Sequence, residues 1–376
     1  MRILFPIQYY YPSKIGGPAS TIYWLVSELT NVSNTQAFVV STRQGIDASV
    51  FKAPNQLDFN AKYVKGSFIS RLFNFTFTAI RKINSCDLVQ FSSLFFPPTP
   101  AIVIWARIMG KRIIISPRGE LYPSALSRKA YLKQLYIYLI KWLLPKSAIL
   151  HATNEMEEKH IQEFFNDYLV FRIPNLIPIK ELQIFEQQPH VLFIGRINPI
   201  KNLDLLIQAF AAIQSQFPEF TLIIAGEAQR SYEVSYLIEL KQLVEKLKLM
   251  DKVKFLGSVT GTKKEELMAR SYVTVLPSKS ENFGNVVLES LAMGTPVIAS
   301  NGTPWALLEE HQAGLWVSAE LSSLKEALRN FLGMNSEQYK QTRVNSRKLI
   351  ERKFDIKVNI HKWINVYENL IAYKNV

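Results

Sequence analysis

Cysteine is nearly absent from this chain of 376 residues, because Cys86 is its only thiol and no disulfide can form within it. The sequence also has no Cys/His cluster with metal-ligand spacing, so we expect no metal and no cofactor. The opening "MRILFPIQYYYPS" has too short an apolar run for a signal peptide. These absences predict a protein of the reducing cytoplasm.

Long apolar runs are missing as well, since no uninterrupted stretch approaches the roughly 18 residues that a membrane-spanning helix needs. The nearest case, "YLKQLYIYLIKWLL", is broken by Lys133 and Lys141. We therefore expect no transmembrane helix.

Acidic residues are scarce in the first half of the chain. Residues 1–180 contain 21 Lys and Arg against 10 Asp and Glu, whereas the remainder contains 23 against 21. An excess of this sign favours a polyanion or an anionic membrane surface as a partner, with simple solubility as the alternative. Nucleic acid is not expected, because zinc-finger spacing, RNP-like motifs and basic-zipper repeats are all missing.

Short β-rich apolar runs alternate with longer segments of helical period along most of the chain, which predicts parallel sheets covered by helices. The alternation pauses at residues 172–190, a stretch rich in Pro and Gln, and then restarts at "VLFIG". The fold class predicted is α/β with two doubly wound, Rossmann-like domains. We expect an N-terminal domain at 1–180, a C-terminal domain at 181–355 and a final helix at 356–376.

Loops that follow strands are where ligands bind in such sheets. Gly16 and Gly17 precede the first helix and allow close approach of an anion to its N-terminus, although a tight turn would explain them equally well. Arg196 and Lys201 in "GRINPIKNLDLL" place two cations before a helix, which suits a diphosphate. Two solvated surface cations are the alternative.

The stretch "SKSENFGNVVLE" carries two glutamates eight positions apart, Glu281 in a loop and Glu289 more than one turn into a helix. A carboxylate accepts hydrogen bonds through two oxygens and can therefore hold a pair of vicinal hydroxyl groups. Gly284, between them, allows backbone N–H groups to approach a sugar or phosphate oxygen. A capping carboxylate and a surface glutamate would also explain the two acids, but not "NFG".

Taken together, these residues resemble the retaining glycosyltransferases of family 4, whose GT-B fold consists of two facing Rossmann-like domains. The motifs that carry the resemblance extend over most of the chain. They are "IGGPAS", "SPRGELYPSAL", "LHATNEMEE", "IPN", "FIGRINPIKNLDLLIQAF", "LIIAGE", "VKFLGSVTG", "LPSKSENFGNVVLESLAMGTPVIAS" and "GTPWALLEEHQAGLWV".

The resemblance implies roles for matching positions. Arg196 and Lys201 would bind the donor diphosphate, Glu289 the ribose, and Glu281 the transferred sugar. It also implies that the final helix returns to the first domain. The remaining donor-binding positions that it implies are Gly16, Gly17, Gly195, the loop 257–259 with Val259, Asn282, Phe283, Gly284 and Asn285.

One departure from the family concerns the acceptor side. Many relatives carry His near position 118, whereas this chain has Arg118 and Glu120 there, which we expect to contact the acceptor. The "PRG" and "TPW" pieces resemble family members that assemble bacterial surface polysaccharides.

The activity that the resemblance implies is transfer of a sugar, with retention, from a UDP- or GDP-sugar to a saccharide acceptor that is lipid-linked. The sequence has no Asp-x-Asp triplet to hold a metal, so Arg196 and Lys201 would offset the charge of the leaving diphosphate. We expect the leaving phosphate to take the acceptor proton. A nucleotide-sugar epimerase or a non-catalytic sugar-nucleotide sensor remains as an alternative.

Two stretches of the basic half combine cations with aromatics, residues 62–83 and 127–142. In the first, Phe68, Phe73, Phe75 and Phe77 are too many for one core-facing stripe, which favours peripheral attachment to an anionic membrane. A fully packed helix or a dimer contact is the alternative. In the second, the residues at helical spacing are expected to face the core; they are Leu132, Leu135, Leu139 and Leu143.

Overall fold

The computed structural model describes residues 1–13, 15, 17–32, 34–52, 58, 60–127, 129–182 and 185–372. The chain divides into two compact units. Unit 1 consists of Met1–Pro178 and Ile356–Val376, and unit 2 of Ile179–Asp355.

Unit 1 is built on a sheet of seven parallel strands in the order β3-β2-β1-β4-β5-β6-β7. The strand order reverses between β1 and β4, as in doubly wound folds. The strands are β1 (Arg2–Pro6), β2 (Gln36–Thr42), β3 (Ala61–Val64), β4 (Leu88–Phe91), β5 (Arg112–Ile115), β6 (Ile149–Ala152) and β7 (Leu169–Arg172).

Helices cover both faces of this sheet, and each face has its own apolar cluster. The helices of unit 1 are α1 (Gly17–Val32), α2 (Phe68–Ile83), α3 (Thr99–Ile108), α4 (Pro123–Leu126), α5 (Ala130–Leu143), α6 (Glu155–Phe164) and α14 (Ile356–Ala372). Helix α14 packs beside α1, because its apolar residues recur every three to four positions and form one buried stripe. That stripe consists of Ile356, Ile360, Trp363 and Tyr367.

Unit 2 repeats the plan with six parallel strands in the order β10-β9-β8-β11-β12-β13, so its reversal lies between β8 and β11. The strands are β8 (Gln188–Ile194), β9 (Thr221–Ala225), β10 (Val253–Gly257), β11 (Ser271–Leu276), β12 (Val297–Ser300) and β13 (Gly314–Val317). The helices are α7 (Leu203–Ala211), α8 (Ser231–Lys246), α9 (Thr262–Arg270), α10 (Asn285–Ala292), α11 (Leu307–Glu310), α12 (Leu321–Leu332) and α13 (Ser336–Lys353).

Apolar runs such as "RILFPI" and "FTLIIAG" predict β1, β2, β4–β6 and β8–β12. The three strands that such runs do not predict, β3, β7 and β13, all lie at sheet edges. Each has four residues and a mostly half-buried or exposed pattern, in contrast to the fully buried β4 and β12. An edge strand is paired on one side only and need not carry a continuous apolar run, so its sequence signal is weak.

The leucine stripe expected to face the core in α5 is wrong for three of its four members. Leu132, Leu135 and Leu139 are 60%, 49% and 42% exposed, and the buried residues of the helix are Ile137, Ile140 and Leu143. Helix α5 is apolar all round, so its spacing alone cannot indicate which side faces the sheet. In α2, Phe75 is buried, while Phe68, Phe73 and Phe77 are exposed. Among the described residues, no helix is both long and apolar enough to cross a bilayer.

Candidate functional site

The reversal of strand order in unit 2 brings the loops after β8 and β11 side by side. The first loop carries Arg196 and Lys201, and the second carries Glu281. A backbone hydrogen bond joins the loops, from Lys279 N to Ile200 O at 2.8 Å. Residues far apart in sequence are thereby placed at the position where doubly wound sheets bind ligands.

Lys201 and Glu281 form a direct ion pair between Nζ and Oε1. Their side chains are only 18% and 14% exposed, so each largely depends on the other for its charge balance. Ser278 donates a further hydrogen bond from Oγ to Glu281 Oε1 at 2.9 Å. The arrangement presents a cation and a hydroxyl-accepting carboxylate at one point.

Gly302, in the loop after β12, fixes the position of Glu281. Its carbonyl accepts a hydrogen bond from Glu281 N at 2.8 Å. A Cβ at position 302 would lie 2.4 Å from Ser278 O and 2.5 Å from Lys279 O, both backbone atoms. Only glycine allows this approach, so the "NGTPW" segment supports the loop that carries Glu281.

Arg196 lies beside Glu233, a carboxylate near the start of α8 that is 0% exposed. Arg196 Nε is 3.5 Å from Glu233 Oε1, which also accepts from Asn198 Nδ2 at 2.7 Å. Glu233 Oε2 accepts from the backbone N of Gln229 at 2.9 Å and of Arg230 at 3.1 Å. Burial raises the pKa of Glu233, but these hydrogen bonds and the Arg196 charge lower it below its ordinary value.

Sequence reasoning missed Glu233, although a signal was present. A glutamate at the third position of a helix commonly bonds back to the backbone before the helix, and Glu233 follows that pattern. What the sequence does not reveal is that the same carboxylate reaches Arg196.

Glu289, in α10, forms a second lysine–glutamate pair. Its Oε2 lies 2.6 Å from Lys264 Nζ of α9, and the two side chains are about one-quarter exposed. Sequence reasoning missed Lys264, which lies in "TGTKKEEL" just beyond the predicted 257–259 loop. The pairing shows that Glu289 is held in place while remaining open to solvent.

Phe283 and Gly284 determine how α10 begins. Phe283 is 6% exposed and its ring packs edge-on against Trp305, with centroids 5.4 Å apart. Gly284 caps the helix with φ of +78°, and a Cβ there would lie 3.0 Å from Leu276 Cδ2. The Phe283 ring therefore belongs to the core of unit 2, and Phe283 can reach a ligand only through its backbone. Asn282 and Asn285 flank this pair.

The remaining positions of unit 2 that were predicted to bind the donor lie at the ends of β8 and β10. Gly195 N donates to Ala225 O at 3.0 Å, and Gly257 O accepts from Gly226 N at 2.7 Å. Val259 packs against the small apolar cluster around Leu192. In unit 1, Gly17 is the exposed first residue of α1, and the predicted Gly16 lies outside the described residues.

Arg118 follows β5 in unit 1 with a left-handed backbone, φ +52°. Its Nη1 donates to Asn175 Oδ1 at 2.9 Å, while Nε is buried and makes no hydrogen bond within the described residues. Burial lowers the pKa of Arg118 to about 10, with Glu157 and Tyr367 acting in the opposite direction. The side chain is therefore still a cation at neutral pH.

Glu120 uses both carboxylate oxygens to hold the loop after β4. Oε1 accepts from Ser93 Oγ at 2.6 Å, and Oε2 accepts from the backbone N of Leu94 and of Phe95. Burial raises the pKa of Glu120 to about 7, although these hydrogen bonds favour the carboxylate. The acceptor contact expected of Glu120 stays a prediction, and the geometry suits a positioning role.

Residues 178–349, which cover most of unit 2, match the family model described as "Glycosyl transferases group 1". D-inositol 3-phosphate glycosyltransferase of Acidothermus cellulolyticus is 36% identical over 134 residues, which cover 34% of this chain and 29% of that protein. The chain spans about a third of the length of the curated relatives it matches.

Solved structures are similar over nearly the whole chain. Anabaena Alr3699/HepE in complex with UDP-glucose gives a TM-score of 0.78 at 20% identity, covering 98% of this chain and 99% of that one. WaaG, a glycosyltransferase involved in lipopolysaccharide biosynthesis, gives 0.68 at 16% identity, covering 99% and 100%. The fold, two parallel-sheet Rossmann-like α/β domains, is that of GT-B glycosyltransferases.

Proposed function

We propose that the chain is a retaining, metal-independent glycosyltransferase that moves a sugar from a nucleotide-diphosphate sugar to a saccharide acceptor. The observation that carries the proposal is the Lys201–Glu281 pair at the strand reversal of unit 2, within the segment that matches the glycosyl transferase model. Such a pair supplies what this donor requires at one point, a cation for the diphosphate and a carboxylate for sugar hydroxyl groups.

In the proposed complex, Arg196 and Lys201 bind the donor diphosphate and stabilise the negative charge that grows as the glycosidic bond breaks. Glu281 then exchanges Lys201 for hydroxyl groups of the transferred sugar, and Glu289 accepts hydrogen bonds from the ribose. The leaving phosphate takes the proton of the attacking acceptor hydroxyl, and no side chain is required as a general base.

A uridine or guanosine diphosphate sugar is the proposed donor. The similarity to HepE, which was solved with UDP-glucose, supports the uridine form. The test is incubation of the full chain with a panel of UDP-, GDP- and ADP-sugars, with and without EDTA, and measurement of nucleotide release. We expect one base to be strongly preferred and EDTA to leave the rate unchanged. No release or binding with any member of the panel would contradict the proposal.

The proposed acceptor is lipid-linked, and its product belongs to bacterial surface polysaccharide (O-antigen, capsule or lipopolysaccharide). WaaG, which shares the fold, is described as involved in lipopolysaccharide biosynthesis. In this chain the support is an exposed surface on α2, α3 and α5, in which α3 contacts both other helices. We call it the apolar face. Its residues are Phe68, Ile69, Phe73, Phe77, Ile104, Trp105, Ile108, Tyr131, Leu132, Leu135, Tyr138, Leu139 and Trp142.

An anionic leaflet is the proposed occupant of the apolar face, because α2, α3 and α5 contain no Asp or Glu. Over residues 60–154 the only acids are Asp87 and Glu120, against 14 Lys and Arg. Exposed aromatics among cations are typical of a surface that lies in a membrane interface, where each cation contributes about 1 kcal/mol. A second copy of the chain would place like charges together across the contact.

A further inference from the structure

Within the part of the chain that the structure describes, the Arg118 guanidinium has no ionic partner. Among the described residues, no carboxylate oxygen lies within 4 Å of it, and Asn175 is its one hydrogen-bond partner. Burying an unpaired charge is costly, so buried cations in proteins are normally paired or bind an anion. Arg118 as a whole is partly exposed, but its Nε is buried and makes no hydrogen bond within the described residues, so that side of the guanidinium is open to an anionic ligand.

Glu157 is the acidic residue whose charge acts on the pKa of Arg118, but its oxygens are already used. Oε1 accepts from Gly119 N at 2.7 Å, and Oε2 accepts from Thr153 N at 2.8 Å and from Thr153 Oγ1 at 2.6 Å. It therefore shapes the loop that carries Arg118 and moderates its charge from a distance. Glu157 therefore does not pair directly with the guanidinium.

The hydrogen bond to Asn175 leaves a specific edge of the guanidinium unused. Asn175 engages Nη1, whereas the Nε and Nη2 groups, which point in parallel along the other side, have no partner within the described residues. Two parallel N–H groups are the arrangement that binds the two oxygens of a carboxylate or phosphate. Asn175 thus fixes the guanidinium without occupying that edge.

Two more buried donors lie at the carboxyl edge of the same sheet. Gln90 Nε2 at the end of β4 and Ser92 Oγ just after it have no partner within the described residues. The hydroxyl of Tyr367 in α14 donates to Gln90 Oε1 at 2.6 Å, and the Arg118 charge counteracts the rise that burial causes in the pKa of Tyr367. Unpaired donors and the Arg118 cation therefore lie at or just beyond the ends of neighbouring strands, β4 and β5, of one sheet.

The backbone at Arg118 adds an independent indication. A φ of +52° lies in the left-handed region, which is uncommon for a residue other than glycine, asparagine or aspartate. Such conformations persist mainly where function requires the side chain in a given place. At this position the residue is an arginine, and its side chain reaches Asn175.

We propose that Arg118 binds the paired oxygens of an anionic group, a carboxylate or a phosphate, on a saccharide substrate. The inference rests on the proposed function in that the ligand is taken to be a saccharide. The anionic group belongs either to the acceptor or to the transferred sugar of the donor. Asn175 is the positioning residue of this site.

Calorimetry on the full chain tests the proposal with D-glucuronate, glucose 6-phosphate and glucose as probes, each in the presence of saturating UDP so that the unit 2 cations are occupied. We expect an anionic probe to bind the wild type and to bind Arg118→Gln about 10- to 150-fold more weakly, as for hydrogen bonds to a charged group. Arg118→Lys keeps the charge without the two-pronged edge and is expected to fall between them.

Arg172→Gln is the matched control, because Arg172 is an exposed arginine of unit 1 already paired with Glu155 and Glu158. It is expected to bind as the wild type does. Equal affinity of the wild type and Arg118→Gln for the anionic probes, or no preference of the wild type for them over glucose, would overturn the inference. A thermal unfolding curve establishes that each variant is folded.

A second arm locates the anionic group by comparing UDP-glucuronate with UDP-glucose. If the group is on the donor sugar, Arg118→Gln weakens binding of UDP-glucuronate alone. If the group is on the acceptor, the variant binds both donors as the wild type does, and only its affinity for the anionic probes is reduced. Unchanged UDP binding by the wild type and the variant, without any anion preference, would refute the inference and leave the proposed function standing. Absence of nucleotide binding in the wild type would refute the proposed function instead.

Discussion

The two units have the same strand order around their reversal, but they differ in whether the cations near it are paired with carboxylates. In unit 2, Arg196, Lys201 and Lys264 each lie beside a glutamate of the same unit. In unit 1, Arg118 has a buried Nε and no ionic partner among the described residues, and the helices of the apolar face contain cations and no acids. The net charge follows this division, with nearly all of the +13 in the first 180 residues.

This contrast indicates two ways of preparing a site for an anion. A cation paired with its own glutamate is stable without ligand, and a ligand must supply both an anion and hydroxyl groups to replace the pair. A cation without a partner is costly until an anion arrives. On this basis, unit 2 suits a ligand that carries both kinds of group, as a nucleotide sugar does, and unit 1 suits surfaces and groups that are simply anionic.

The largest effect is expected from Lys201→Ala, which breaks the central pair of unit 2. We expect the rate of sugar transfer to fall about 100- to 1000-fold, the usual cost of removing one group that stabilises charge in a transition state. Nucleotide release with the preferred donor measures it. Lys246→Ala, an exposed lysine of the same unit, is the control. A rate within a few-fold of the wild type would exclude Lys201 from the reaction.

Glu289→Gln is expected to weaken nucleotide binding about 10- to 150-fold, because hydrogen bonds to a charged group contribute about 1.5–3 kcal/mol. Calorimetry with the preferred nucleotide measures this. Lys264→Met separates the two members of the pair, since it leaves the Glu289 carboxylate in place and removes only its partner. If the two variants lose affinity equally, the pair acts as a structural unit and Glu289 has no separate contact with the ribose.

The sequence predicted the two Rossmann-like sheets because buried parallel strands carry continuous apolar runs, as "RILFP" and "TLIIA" do. It also identified Lys201 and Glu281 as candidates, through spacing and the family resemblance. It did not predict that they contact each other, because that depends on strand order. Lys264 and Glu233 were missed for the same reason: each is an ordinary helix residue until the fold places it beside Glu289 or Arg196.

For a similar reason, the sequence could not predict which side of α5 faces outward. Apolar residues surround this helix, so both possible orientations bury a plausible stripe, and packing against α3 and the sheet selects Ile137 and Ile140. The structure consequently supplies a larger exposed surface than the first basic stretch alone had suggested.

That surface leads to the next prediction, that Phe73→Ser combined with Trp142→Ser reduces binding to anionic vesicles at least tenfold. The two side chains are 78% and 76% exposed, and burial of each in a bilayer interface contributes about 1.5–3 kcal/mol. Vesicle sedimentation measures binding, which should also fall with added salt. Val358→Ser, an exposed apolar residue on α14, is the control. If the wild type does not bind vesicles at low salt and forms dimers instead, the occupant of the apolar face is a second copy of the chain.

The smallest effect concerns how stability depends on pH, because Glu120 in unit 1 and Glu233 in unit 2 change the free energy of unfolding in opposite directions. Burial raises the pKa of Glu120 in unit 1 to about 7. The pKa of Glu233 in unit 2 is lowered instead, because its hydrogen bonds and the Arg196 charge outweigh the effect of burial. Those hydrogen bonds come from Gln229, Asn198 and Arg230. Between about pH 4.5 and 7 the folded chain then holds a proton on Glu120 that the unfolded chain has lost. The free energy of unfolding therefore falls as the pH rises through that window, by at most about 1.4 kcal/mol per pH unit.

Glu233 has the opposite effect, because its stabilisation is present above its ordinary pKa of 4.5 and is lost as the pH falls through the lowered value. Subtracting the unfolding profile of Glu120→Gln from that of the wild type should therefore leave a slope between about pH 4.5 and 7. The same subtraction with Glu233→Gln should leave a slope of opposite sign, confined to pH values below about 4.5. Urea unfolding of both variants across pH 3–8 measures the two profiles, and slopes of equal sign would show that the two carboxylates do not differ as their surroundings require.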